Sequence, residues 1–360
     1  MMRIIITTKK GVKIMSVIRK PTAIVALMLL LVVSALLGAC GNDKAAESGG
    51  ASSPANSPAA SPTSTPSSSP SASASSEAGG GETRIVSTVN GDVEIPANPQ
   101  RIVALYYHHI LYALGEKPVG ANLTWWGGSP FLQEQEAGLT DVGGPPSLEA
   151  VAALEPDLII MNSNNAEDYE QFAKIAPSVL IPYDGNRNVY EDAEEVAKLL
   201  GKPEAASQLR ADFEKKAEAA RVKIENVVKS GAKAAIIRID GNGGQFTVFG
   251  DNYGRGGWSI YRGLKLGFPA KIQEAVIDSG AQIVQELPLE QLPEYVEDAD
   301  YLFVSNEGVG LEVVQDSSIW KGLPAVKGNR VIELDKKFFY FDPISISAQI
   351  DLIADLLAKK

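Results

Sequence analysis

The sequence predicts an α/β protein of two related lobes joined by one long helix, and three observations carry that reading. Short apolar strand-like runs alternate with helical segments through both halves of the chain. One amphipathic stretch near the middle, from Pro203 to about Val228, is much longer than any other predicted helix. The halves also echo one another. Glu149 opens a helix and Asp157 starts the next strand; Glu290 and Asp300 repeat the pair, eight residues apart in the first case and ten in the second.

Taken in order, Arg101-Ile102-Val103-Ala104-Leu105 reads as a buried strand, and residues 107–114 as a helix ended by Gly115. Val119-Gly120-Ala121-Asn122 is a short second strand. Ser147 is a candidate N-cap for a helix over 148–154, after which Pro156-Asp157 leads into the apolar strand Leu158-Ile159-Ile160-Met161. Val179-Leu180-Ile181 is another strand, followed by a helix from about Asn188 to Leu200, with Gly201 beyond its end. In the long helix Ala206, Leu209, Phe213, Ala217, Ala220, Ile224 and Val227 follow at spacings of 3, 4, 4, 3, 4 and 3, one face of a helix roughly 40 Å long. The α/β pattern then restarts with Ala234-Ala235-Ile236-Ile237, Phe246-Thr247-Val248-Phe249, Tyr301-Leu302-Phe303-Val304 and Val331-Ile332-Glu333-Leu334. A closing helix over 347–357 places Ile350, Ile353 and Leu357 on one side. The boundaries are therefore 83–202 for the first lobe, 203–230 for the connecting helix and 231–360 for the second lobe.

The first 82 residues are of another kind. Arg3, Lys9, Lys10, Lys13, Arg19 and Lys20 precede an apolar run from Ala23 to Ala39 that is short for a membrane span and ends in small residues. This is an export signal over residues 1–39, and Met15 also serves as a start. Cys40 follows Leu37-Gly38-Ala39, and the pattern resembles the lipobox of bacterial lipoproteins, whose cysteine receives a diacylglycerol. The bland alternatives are a buried free cysteine or a signal anchor. From Gly41 to Gly81 the chain is almost entirely Ser, Pro, Ala and Gly, a composition that cannot bury enough apolar surface to offset the entropy of ordering. Residues 40–82 thus read as a lipidated cysteine and a flexible tether. The expected location is the extracytoplasmic face of the cell membrane, held through Cys40 alone.

Once the signal is removed, 27 basic residues stand against 44 acidic ones, a net charge of −17. That argues against nucleic acid and against electrostatic adhesion to anionic lipid. With Cys40 the only cysteine, neither an intramolecular disulfide nor a cysteine metal site is available. A secreted hydrolase would need a Gly-x-Ser-x-Gly turn or a cysteine nucleophile, and both histidines come too early for the usual Ser…Asp…His order. A structural wall protein would show repeats or extended β modules, and none is evident. The expectation is a binding protein without catalysis and without a cofactor.

Several fragments, each weak alone, are together similar to iron–siderophore substrate-binding lipoproteins. They are Asn98-Pro99-Gln100-Arg101-Ile102-Val103-Ala104, Ala113-Leu114-Gly115, Pro118-Val119-Gly120, Asp141-Val142-Gly143, Ser147-Leu148-Glu149-Ala150-Val151 and Leu154-Glu155-Pro156-Asp157-Leu158-Ile159-Ile160. Tyr253-Gly254-Arg255-Gly256-Gly257 and Asp342-Pro343-Ile344 follow later, so the likeness spans essentially all of 83–360. The resemblance implies two Rossmann-like lobes on one rigid helix, with a ferric siderophore held in the cleft between them. It also implies delivery to a permease dimer and its ATPase in an ABC importer, by a monomeric carrier. Glu149 and Glu290 are each a carboxylate in a first helical turn, which the helix dipole alone would explain; the resemblance makes them the permease-docking pair, one per lobe.

The expected pocket lies beyond the carboxyl ends of the strands, as in other open α/β sheets. Tyr106, Tyr107 and His108 follow the first strand and Trp125-Trp126 the second, so at least one of the tryptophans faces the cleft. His108 and His109, adjacent on a helix, point about 100° apart and cannot chelate one ion, and at least one has a surface or core role. Arg187, Arg238 and Arg255 stand in comparable places. Singly each reads as a solvated surface residue; together, on so acidic a body, they make a locally positive cleft. Tyr253 and Tyr340 complete the expected set, while the run Phe338-Phe339-Tyr340-Phe341 either lines the second lobe or packs under the closing helix. Ligand charge decides between siderophores: a trianionic catecholate complex favours arginines, a near-neutral hydroxamate favours Trp and Tyr. The sequence offers both and leans slightly to hydroxamate or mixed chelates. Haem or cobalamin is the alternative ligand; haem would need an axial group from Met161, His108 or Tyr106.

Overall fold

The computed structural model describes residues 82–360 except Asp184, and these fall in one compact unit, Ser75–Lys360. The export signal, Cys40 and the tether up to Gly81 lie outside the described residues. The described chain opens with a hairpin, β1 (Thr83–Thr88) and β2 (Gly91–Pro96), turning at Gly91 with φ 102°.

The first lobe follows with β3 (Ile102–Ala104), α1 (His108–Ala113), β4 (Gly120–Ala121), α2 (Leu123–Trp126), β5 (Thr140–Asp141), α3 (Leu148–Ala152), β6 (Leu158–Asn162), β7 (Ser178–Ile181) and α4 (Val189–Leu199). Its sheet has the order β5-β4-β3-β6-β7, all parallel. Alternate residues serve opposite faces. Ile102, Ala104, Leu158 and Ile160 pack on one side, and Val103, Leu105, Ile159 and Met161 on the other. Ser147 accepts from the Ala150 N–H and caps α3, while Asn188 and Glu191 form a capping box on α4.

The chain then crosses through α5 (Pro203–Ile224), 22 residues long and started by Pro203 in its first turn. Ala206 packs in the first lobe's core and Phe213, Ala217, Ala220 and Ile224 in the second's; Leu209 touches both. The helix ends at Ile224, earlier than the expected Val228, and Val227 is 40% exposed rather than on the buried face.

The second lobe comprises β8 (Ala234–Asp240), β9 (Gln245–Phe249), β10 (Ile283–Pro288), β11 (Tyr301–Ser305), β12 (Val331–Leu334) and the closing helix α6 (Pro343–Leu357). Its sheet order, β10-β9-β8-β11-β12, repeats that of the first lobe. One half differs: β9 runs antiparallel to both β8 and β10. Four residues, Gly241-Asn242-Gly243-Gly244, separate β8 from β9, too few for a parallel crossover and enough for a hairpin. The closing helix begins at Pro343, four residues before the expected start, because Asp342 accepts from the Ser345 N–H as N-cap.

The echo between the halves has a structural basis. Asp157, before β6, accepts from the Gln100 and Arg101 N–H groups at 2.6 and 2.9 Å and so clasps the entry to β3. Asp300, before β11, accepts from the Lys233 N–H at 2.9 Å at the entry to β8. Strands β3 and β8, and β6 and β11, hold the same places in their sheets.

Candidate functional site

The first lobe's wall forms where β3, β4 and β7 end. The chain leaves β3 through Tyr106 and turns into α1 at Tyr107, whose φ of 70° is unusual for a bulky residue. That turn separates the neighbouring tyrosines. Tyr106 is half-buried and gathers Trp126 at 4.9 Å, His109 at 5.6 Å and Tyr183 at 6.1 Å between ring centroids, all but Tyr183 edge-on. Trp126 and Tyr183 are exposed. Burial, with Tyr183 nearby, pushes the Tyr106 phenol well above its ordinary range, so it serves as a neutral hydroxyl.

The second lobe's wall forms after β8, β9, β11 and β12. Arg255 is only 7% exposed and lies between two rings, Phe339 at 4.3 Å and Phe249 at 4.8 Å. Its Nε and Nη2 donate to the two Glu307 oxygens at 2.8 and 2.9 Å. Arg238 donates from Nε to Asp240 at 2.7 Å and from Nη1 to Glu307 at 3.3 Å. Burial raises the Glu307 carboxyl, but the Arg255 guanidinium, Ser305 and Arg238 together outweigh it and hold Glu307 below the usual range. The glycine turn is needed for this packing. Gly254 has φ 70°, and a Cβ there would stand 2.3 Å from the Phe339 carbonyl oxygen. Tyr253 and Phe339 are exposed beside the arginine.

The two walls meet. The Tyr340 hydroxyl donates to the Gly128 carbonyl at 2.6 Å, and Ser129 and Ser345 share a buried hydrogen bond of 2.8 Å. Further along, the Asn252 amide donates to the Arg187 carbonyl at 3.1 Å and Gln282 donates to the Gly185 carbonyl. Tyr340 thus reaches the loop that follows Trp126, while Tyr106 and Trp126 gather on the first lobe and Tyr253 and Arg255 on the second.

Other expected residues fall elsewhere. Tyr107 and His108 are fully buried, so their assignment as contact residues is corrected. Tyr107 sits beside the Arg187 guanidinium, and His108 bonds through Nε2 to Glu136 at 3.0 Å. Glu136 in turn accepts from the Gly128 N–H, so His108 braces the wall from behind. His109, not His108, reaches the aromatic cluster. Trp125 is exposed but lies over Gly144, where a Cβ would come within 2.6 Å of its indole nitrogen. The expected positive cleft is also corrected: Arg187 pairs with Asp192 at 2.8 Å, as Arg238 and Arg255 pair with Asp240 and Glu307. The aromatic run splits, with Phe338 and Phe341 packed in the core and Phe339 and Tyr340 turned outward. The expected set lacks Tyr183 and Glu307, while Phe339 enters it from the aromatic run. Tyr183 directly follows a strand end, a signal that was available; Glu307 lies 52 residues from Arg255, and no local pattern links them.

Glu149 is exposed in the first turn of α3. Its carboxylate accepts from its own backbone N–H and from Ser147 Oγ, which hold it below the usual carboxylate range. Glu290 is exposed in the 3-10 turn Leu289–Gln291, which leads into the helix Leu292–Val296. Cavities of about 190, 550 and 500 Å³ are lined by none of these aromatic residues, the last lying against Asn188, Arg210 and Trp258.

Comparison with known proteins places this architecture. An iron(3+)-hydroxamate-binding protein of Bacillus subtilis, YxeB, is 41% identical over 285 residues, covering 78% of this chain and 86% of that protein. A second one from the same organism, FhuD, is 34% identical over 339 residues, covering 93% and 97%. A crystal structure of the FhuD fold, described as the periplasmic binding protein component of a Fep/Fec-like ferrichrome ABC transporter from Bacillus subtilis, superimposes with a TM-score of 0.65 at 33% identity. It covers 76% of this chain and 99% of that one. The model of the family described as "Periplasmic binding protein" matches residues 102–338, and this chain belongs to that family.

Proposed function

We propose that this protein captures a ferric siderophore between its lobes and hands it to an ABC-type permease for iron uptake, with hydroxamate complexes as the favoured class. The observation that carries the reading is the pairing of two aromatic walls at strand carboxyl ends, joined by Tyr340 and Gly128. Rings such as Trp126, Tyr106 and Phe339 suit the apolar faces of a large, rigid, already-chelated complex. The protein then acts as a carrier and performs no chemistry on its cargo.

Cys40 carries the lipid, residues 1–39 are the signal and residues 40–82 the tether, on the strength of the sequence pattern. Glu149 and Glu290 supply one permease contact per lobe; well-separated exposed ion pairs add little affinity each but fix docking register. For a haem carrier, Met161 is packed in the first lobe's core and His108 is tied to Glu136, which leaves Tyr106 as the axial candidate at the wall.

The test is tryptophan fluorescence of the full-length chain titrated with a ferric trihydroxamate, a ferric tris-catecholate, ferric citrate, haem and cobalamin. Trp126 against Tyr106 makes saturable quenching by the trihydroxamate the expected result, at micromolar concentration or below. Quenching by haem or cobalamin alone, or by none of the five, overturns the reading.

A further inference from the structure

Three arginines of the expected set are each matched by a carboxylate, one pair in the first lobe and two in the second. Arg187 meets Asp192, Arg238 meets Asp240, and Arg255 meets Glu307. Glu307 is the hub of the second lobe's share. Its Oε1 accepts from Arg255 Nε and from Ser305 Oγ at 3.0 Å, and its Oε2 accepts from Arg255 Nη2 and Arg238 Nη1. The third Arg255 nitrogen, Nη1, donates to the Tyr253 carbonyl at 3.1 Å, so every guanidinium nitrogen of that residue is engaged. Arg238 is likewise engaged at all three nitrogens, by Asp240 and Glu307.

A trianionic chelate gains from a guanidinium only where the guanidinium's charge is uncompensated. Here it would have to displace carboxylates that already hold both forks in bidentate or near-bidentate geometry. A near-neutral chelate pays no such penalty and still finds the rings of Tyr253 and Phe339 beside Arg255. We propose that Glu307 is the charge-selectivity residue of this cleft: by neutralising Arg255, and with Asp240 also Arg238, it disfavours strongly anionic ferric complexes relative to neutral ones. This rests on the carrier function proposed above and deepens it. Aromatic content alone does not predict such discrimination, because rings accept either class of chelate.

Two isosteric or shortened variants with opposite signs test it. Glu307→Gln leaves Arg255 and Arg238 against Asp240 alone, a net gain of one positive charge; Arg238→Gln leaves Glu307 and Asp240 against Arg255, a net loss of one. In full-length protein, Glu307→Gln is expected to shift the ratio of tris-catecholate to trihydroxamate affinity by about 10-fold or more toward the tris-catecholate. Arg238→Gln is expected to weaken the tris-catecholate further, and raised salt should shrink both shifts. Equal changes for the two chelates in both variants would show a purely structural role and overturn the proposal, as would an unchanged preference. If Glu307→Gln does not fold, the Arg238→Gln arm and the salt dependence still decide. Failure of the wild-type protein to bind either chelate is a distinct result, which removes the carrier reading and this proposal with it.

Discussion

The two lobes share a strand order and an aspartate clasp, yet they present different chemistry to the groove between them. The first lobe is fully parallel, with helices crossing between its strands, and it offers rings with little charge: Tyr106, Trp126 and Tyr183. The second replaces one crossover by a four-residue hairpin turn and offers a guanidinium–carboxylate network wrapped in rings. A repeated scaffold thus fixes where a ligand wall stands, while the residues just past the strand ends decide what it recognises. The clasp belongs to the scaffold, and the wall residues belong to the ligand.

The largest effect expected from this division is on delivery rather than capture. Each lobe exposes one of the two proposed docking carboxylates, Glu149 in the first and Glu290 in the second. Glu149→Ala combined with Glu290→Ala should abolish iron uptake in cells while siderophore affinity of the purified protein stays unchanged; a matching loss of affinity would place these residues at the ligand. An intermediate effect is expected on the first wall. Tyr106→Ala with Trp126→Ala should weaken a ferric trihydroxamate by about 10- to 100-fold, from lost ring contacts. If calorimetry gives the same loss for a tris-catecholate, the first wall is indifferent to ligand charge, as the comparison requires; a loss confined to one chelate would break it.

The smallest effect concerns the clasp. Asp157→Asn and Asp300→Asn should each cost on the order of 1–2 kcal/mol in denaturant melts, the worth of charge-assisted bonds to backbone N–H groups. The pair can be sharpened by pH. Burial raises the Asp300 carboxyl, but Lys229 and the Lys233 N–H outweigh it, so its folded pKa lies below the ordinary value. A depressed carboxylate contributes stability above its unfolded pKa, near 4, and loses it as pH falls through the lower folded value. Asp300→Asn should therefore flatten the acid limb of the stability curve below about pH 4; an unchanged limb would show that the clasp carries no net charge effect.

Much of this scaffold is legible in the residues. Continuous apolar runs such as Leu158-Ile159-Ile160-Met161 mark strands buried on both faces, and the 3-4 spacing from Ala206 to Ile224 marks the connecting helix, because burial on one stripe leaves a periodic trace. The first hairpin lies outside the two-lobe pattern, and Asn90-Gly91 between alternating residues is its local signal. What local sequence does not carry is the partner of a charge. Arg255 looks like a free cation until the fold brings Glu307 to it, and His108 looks ligand-facing until Tyr107 turns the helix one residue late. Such pairings depend on which loops converge, and no spacing within a segment encodes that.

Leu209, wedged against the hydrophobic interiors of both halves, has a mechanical consequence. A body that shares packing across its middle, with Ser129 and Ser345 fastened to each other and Tyr340 anchored on Gly128, resists bending between its halves. Only a small closure on loading is then expected, and a rotation of tens of degrees seen by solution scattering would contradict it.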